Sequence, residues 1–172
     1  MDMFIVFCAK YLIIVVGLFA LSYWLTLPRK QKTEVLIMGA ITGIVAFILA
    51  KIGSAMFVDP RPFVSDGVTP LFAYTADNGF PSDHTLVGMI ITMALLSVSR
   101  KWAVNLFVLT IIIGVSRVFA GVHHPIDIVG GILFGALGGV TAMYLTPKII
   151  NLLASSKYTK MLGLHRVTKK KK

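Results

Sequence analysis

Cysteine is almost missing from this chain. Cys8 stands alone, so no disulfide can close within one molecule, and the redox compartment leaves no trace in the sequence. Charge is scarce as well. Charged residues make up 14% of the chain against 56% hydrophobic, with a mean hydropathy of +0.84. That balance excludes a soluble domain, which must show water a polar surface. Acids are the scarcest group, seven against seventeen lysines and arginines, for a net charge of +10. An excess of that size can mark a nucleic-acid binder, but its distribution here argues against one. The first apolar run is too long for a cleavable signal peptide and has no small-residue cleavage site before a polar stretch, so it is expected to remain a membrane helix. Internal repeats are absent, and the lysines at 169–172 are the only low-complexity run.

What is present in quantity is apolar sequence. Five runs of about 18 or more weakly charged residues fall at roughly 4–27, 34–57, 82–99, 102–119 and 124–145. They predict an all-α integral membrane protein, a bundle of five or six transmembrane helices. The chain 1–172 reads as a single membrane domain with a basic tail at 148–172. Arg29, Lys30, Lys32, Arg100, Lys101 and the tail share one side if the helices alternate, and the positive-inside rule makes that side the cytoplasm. The N-terminus is then outside, and so are the regions of Asp2, Asp59, Asp66, Asp77, Asp83 and Asp127. Only Glu34 falls inside. The terminal lysines read as an orientation signal with affinity for anionic lipid, and His165 among them as inert. Lys10 is expected to snorkel to the outer interface, while Tyr23, Trp24 and Trp102 fit an inner aromatic belt.

One long connection, about 58–81, carries four of the seven prolines. Long loops in compact proteins are usually functional or disordered; Phe63, Val64, Leu71, Phe72 and Tyr74 suggest that this one packs on the membrane surface. Ser82 is a candidate N-cap for the third span, whose free amides could hold an anion. In the fifth span His123, Asp127, Gly131, Gly135 and Gly139 recur every four residues. On a helix they form one stripe, with the glycines admitting a close neighbour and both polar residues turned into the bundle.

Ionisable groups at membrane depth are functional candidates by default. Lys51, Arg61, His84, Arg117, His123, His124 and Asp127 all come to the outer ends of spans two to five. Arginine forks suit phosphate oxygens, one histidine can attack phosphorus, and another can protonate a leaving oxygen. Asp127, one turn from His123, can take its Nδ1–H and leave Nε2 as the nucleophile. Such a set transfers a phosphoryl group without a metal or cofactor. Taken singly, Arg117 has a plain reading as a snorkelling arginine and His123 as a paired polar group between helices. His124 points about 100° away from His123 on a helix and reads as non-catalytic. Asp59 reads as a backbone hydrogen-bonding residue of the proline turn.

The stretches V-D-P-R-P (58–62), P-S-D-H (81–84) and S-R-V-F-A-G-V-H-H-P-I-D (116–127) resemble the three ordered motifs of the type 2 phosphatidic acid phosphatases, and most closely those of the bacitracin-resistance type of undecaprenyl diphosphatase, over roughly 11–145. The resemblance implies release of inorganic phosphate from undecaprenyl diphosphate at the outer membrane face. It further implies His123 as nucleophile, Asp127 as its orienting partner and His84 as general acid and later base, with Arg61, Arg117 and Ser82 on the phosphate oxygens. Two positions depart from the pattern. The family lysine falls at Ser54, with Lys51 one turn earlier as a substitute, and the motif glycine is Asp83, an acid that must face away, pair with an arginine or tune His84. Alternatives are another lipid phosphate as substrate (phosphatidylglycerol phosphate, phosphatidic acid or a lipid A phosphate), or a small transporter or channel. The partners implied are a polyprenyl or other lipid phosphate and the membrane lipids themselves, without nucleic acid.

Overall fold

The computed structural model describes residues 1–154; His165 and the terminal lysines lie outside the described residues. These residues form α1 (Asp2–Lys10), α2 (Leu12–Thr26), α3 (Arg29–Met56), the single turn α4 (Pro62–Ser65), α5 (Asp83–Leu96), α6 (Arg100–Phe119) and α7 (Pro125–Ala154). The boundaries follow local chemistry. Leu27 precedes Pro28 and is extended, as the proline ring demands of its neighbour, so α2 stops there. Ser99 caps α6 by accepting from the Trp102 amide.

Three helices, α3, α6 and α7, are long and apolar enough to cross a membrane, and a fourth crossing exists if α1 and α2 are one bent span. The expected single helix at 4–27 is therefore corrected: it breaks at Tyr11 with a bend of 49°. A side chain enters the backbone ladder beside the break, which is a common cause of kinks. Arg117 Nη1 donates to the Ala9 carbonyl at 2.9 Å. The third expected span is also shorter than read. With 14 residues, α5 is about 21 Å long, less than the ~30 Å of a hydrocarbon core. The fifth runs past its expected end at 145, since Pro147 lies inside α7 and removes one amide without stopping the helix.

α7 packs along α3 and α5, and α5 packs along α6. Large apolar side chains such as Leu18, Ile44, Phe47, Leu133 and Val140 are exposed on the outside of the bundle, a pattern that water penalises and lipid accepts. The glycine stripe behaves as expected. A Cβ added at Gly131 would lie 2.6 Å from the Ser82 carbonyl and one at Gly135 the same distance from the Met89 Cβ, while Gly139 meets Met93. Close approach of α7 to α5 is thus built on hydrogen atoms where any other residue carries carbon, and it sets the depth at which Ser82 and His84 meet the start of α7.

Candidate active site

The site is assembled where α3, α6 and the α1 bend end and where α5 and α7 begin. Between α6 and α7 the chain reverses through Ala120–His124. Gly121 has φ +71°, a left-handed conformation costing other residues about 1–2 kcal/mol, and Val122 N–H returns to the Arg117 carbonyl at 3.2 Å. Ala120 and Val122 are fully buried against Ala9, with Phe72 and Tyr74 packed on them. The reversal brings His123 back beside Arg117.

His123 precedes α7 rather than standing on its first turn, which corrects the first member of the expected stripe. The predicted pairing is nevertheless present. His123 Nδ1 lies 2.9 Å from Asp127 Oδ2, and the same oxygen accepts the His124 backbone N–H at 3.0 Å. Ser82 N–H donates to the Asp127 carbonyl at 3.0 Å, tying the start of α5 to the start of α7. With Nδ1–H given to the carboxylate, Nε2 keeps its lone pair. That nitrogen is flanked by Arg61 Nη1 at 3.1 Å and Arg117 Nη2 at 3.2 Å. Burial holds the His123 pKa below the ordinary histidine value and the two arginines push it the same way, against the pull of Asp127, so the ring is neutral at neutral pH.

Both arginines are buried, Arg61 5% and Arg117 1% exposed, and each is held by several partners. Arg61 Nε donates to Asp77 Oδ1 at 2.6 Å and its Nη1 to the Val122 carbonyl at 2.8 Å. Arg117 Nη2 donates to the Tyr74 hydroxyl at 2.6 Å. The Tyr74 ring stands 4.4 Å from Arg61 Cζ and 5.0 Å from Arg117 Cζ, so one π-face offsets the repulsion of two neighbouring cations. Two donors in this layer remain without a hydrogen-bond partner among the described residues although buried: Arg117 Nε and Ser82 Oγ. Buried donors are rarely left so, and both are of the kind that serve an oxyanion.

Ser82 occupies the N-cap position of α5, but its hydroxyl makes no cap bond, which corrects that part of the expectation. His84 begins the same helix, half-buried, within electrostatic reach of Arg117, His123 and Arg61. Asp83 is exposed on the first turn, where an acid suits the helix dipole. A cavity of about 320 Å³ opens at this end of the bundle, lined by His123, Arg61, Tyr74, Asp83, Lys51 and Phe47 among others. Lys51 thus reaches the cavity as expected. It is exposed, with Nζ 5.3 Å from the Phe47 ring centre. Ser54, at the family-lysine position, is engaged by Asn78 Nδ2 at 3.0 Å.

Other assignments change. Asp59 pairs with His124, Nδ1 to Oδ2 3.0 Å, rather than with the backbone of the proline turn; its own N–H goes to Asn78 Oδ1 at 2.9 Å. Phe72 and Tyr74 pack against Ala9, Ala120 and Val122, while Val64 and Leu71 of the same loop are exposed. Tyr74, Asp77 and Asn78 carry no site role in the sequence; an aromatic and two polar residues inside a proline-rich loop are the signal they leave. Donor atoms of Asp59, His124 and Asp127 come within 4.8 Å of one another, and this trio is already joined by the hydrogen bonds just given.

Over residues 31–151 the sequence matches the PAP2 superfamily. It is 33% identical over 139 residues to the undecaprenyl-diphosphatase BcrC of Bacillus subtilis (strain 168), covering 81% of this chain and 72% of that protein. A second relative, named bacitracin transport permease protein BcrC, from Bacillus licheniformis, is 33% identical over 83% of this chain and 70% of its own length. Among solved structures, Aquifex aeolicus LpxE shares the fold with a TM-score of 0.68 and 24% identity, over 83% of this chain and 85% of that one.

Proposed function

This chain belongs to the PAP2 superfamily, and from that premise we propose that it hydrolyses undecaprenyl diphosphate to undecaprenyl phosphate and inorganic phosphate through a phosphohistidine. The carrying observation is the pair of buried arginines converging on His123 Nε2, with Asp127 behind the ring.

In the first half-reaction Nε2 attacks the terminal phosphorus while the bond to the bridging oxygen breaks. Arg61, Arg117 and Ser82 hold the equatorial oxygens, where transition-state charge spreads. His84 gives its proton to the departing lipid phosphate. In the second half-reaction His84 takes a proton from water, whose oxygen attacks the phosphohistidine and frees phosphate and His123. Lys51 and Asp83 line the approach. Two fixed guanidinium charges disfavour the alternative of a cation pathway, which gathers acids and carbonyls.

The substrate reading is tested by phosphate release in detergent and excess EDTA. Undecaprenyl diphosphate is expected to turn over at least tenfold faster than phosphatidylglycerol phosphate, phosphatidic acid or a lipid A phosphate; equal rates would remove the choice of lipid.

We read five crossings, with α1 and α2 as one bent span and α5 as a short one, the site facing outside and the C-terminus in the cytoplasm. The site gathers at one end of the bundle, whereas Arg29, Lys30, Lys32, Arg100 and Lys101 lie at the opposite ends of α3 and α6, where the positive-inside rule places the cytoplasm. In a Cys8→Ala background, Thr75→Cys is expected to react with an impermeant maleimide on intact cells and Gln31→Cys is not. The reverse labelling would turn the site inward.

A further inference from the structure

His124 lies next to the nucleophile yet takes no part in the chemistry above. Its ring instead spans two carboxylates from a distant segment: Nδ1 is 3.0 Å from Asp59 Oδ2 and Nε2 is 3.2 Å from Asp66 Oδ2. Both ring nitrogens face acceptors, and only the doubly protonated imidazolium donates from both at once. The two acids bracket Arg61. Asp59 precedes it by two residues, and Asp66 closes α4, its N–H bonded to the Pro62 carbonyl at 2.9 Å. The His124 peptide N–H is fixed to Asp127 Oδ2. One side chain therefore ties both ends of the arginine-bearing turn to the backbone that carries His123 and its partner Asp127.

We propose that His124 is a positioning residue, a charged bracket that holds Arg61 against His123 Nε2 and offsets the negative charge of Asp59 beside Asp127. The inference deepens the phosphatase reading and rests on it for the identity of the substrate, though not for the anion site itself. The charged groups facing the His124 ring are Asp59 and Asp66, its backbone N–H meets Asp127 from α7, and Asp77 faces Arg61. Burial opposes protonation of His124, but its hydrogen bonds to Asp66 and Asp59 hold its pKa above the ordinary histidine value. Asp66 is held below the usual carboxylate range by its bond to Ser65 and by His124, whereas burial and the neighbouring Asp127 raise Asp59. The sign follows. A histidine raised in the folded state contributes fully at acidic pH, and the contribution is lost as pH climbs through the raised value.

The test uses the full-length chain in detergent. Sulfate affinity, whose probe keeps one charge across the range, is measured from acidic to alkaline pH alongside KM and kcat on a polyprenyl diphosphate. His124→Ala is expected to weaken sulfate binding and raise KM about tenfold at neutral pH, with kcat falling less, and to flatten the alkaline loss seen in the wild type. Asp66→Asn, at an exposed position that does not endanger folding, should reproduce part of the change, and the double variant should be no worse than His124→Ala alone. Wild-type affinity and an unchanged pH profile in both single variants, or full additivity in the double, overturns the bracket. A wild-type protein that binds sulfate with this pH dependence but hydrolyses no polyprenyl diphosphate upholds the bracket and refutes the substrate reading instead.

Discussion

His123→Ala is expected to lower turnover of the lipid diphosphate by roughly 10⁴-fold or more, with the protein still folded. The size follows from the arrangement. His123 Nε2 lies between the two guanidinium groups, 3.1 and 3.2 Å away, with the carboxylate of Asp127 behind the ring. Alanine removes the covalent route and leaves the arginines, which still bind phosphate, so affinity for inorganic phosphate should change far less than kcat. The ring is buried and its loss takes one donor from Asp127 Oδ2, which keeps the His124 N–H, so a stability loss of about 1–3 kcal/mol is expected. Turnover within tenfold of wild type would place the chemistry on another residue.

Asp127→Asn is the second large effect, about 10²- to 10³-fold in kcat with KM nearly unchanged. The amide oxygen can still accept Nδ1–H of His123 and the His124 N–H, so the ring keeps its tautomer and direction. What disappears is the negative charge that stabilises the ring as Nε2 bonds to phosphorus and positive charge develops on the imidazole. The amide NH2 takes the place of Oδ1, which is buried without a partner, close to the Asp59 carboxylate, so the variant should fold. The pH dependence carries the sign. Asp127 raises the His123 pKa against burial and the arginines; its loss lowers that pKa further. Activity needs the neutral ring, so the acidic limb of the rate profile should move to lower pH even as the plateau falls. A limb that stays in place would mean that His123 is not the group titrating.

Much of this was legible in the chain because it is local. Apolar runs, the four-residue glycine stripe and the three motif stretches are patterns of neighbouring residues, and they located the helices, the α5–α7 contact and the pairing of His123 with Asp127. Long-range partners left no such pattern. The α1 bend is tied to a bond between Arg117 and the Ala9 carbonyl, across 108 residues. Tyr74 read as an apolar loop residue until its ring was found against two guanidinium groups. Asp59 reads as a backbone hydrogen-bonding residue of the proline turn, since nothing nearby signals a histidine 65 positions on. Even the pairing of His123 with Asp127 follows from a helical phase that begins only at Pro125; the contact forms because the aspartate in the first turn of α7 reaches back to the preceding loop.

The central claim, a phosphoryl group carried on one histidine, has a direct measurement. Undecaprenyl diphosphate labelled in its terminal phosphate is mixed with the His84→Ala variant, which lacks the acid of the first half-reaction and the base of the second, for long enough that the slowed first step loads the protein, which is then quenched in alkali and digested. The account predicts an acid-labile, alkali-stable label on the peptide containing His123, absent from the His84→Ala/His123→Ala double variant. A label on any other residue, or the same label in the double variant, would contradict it.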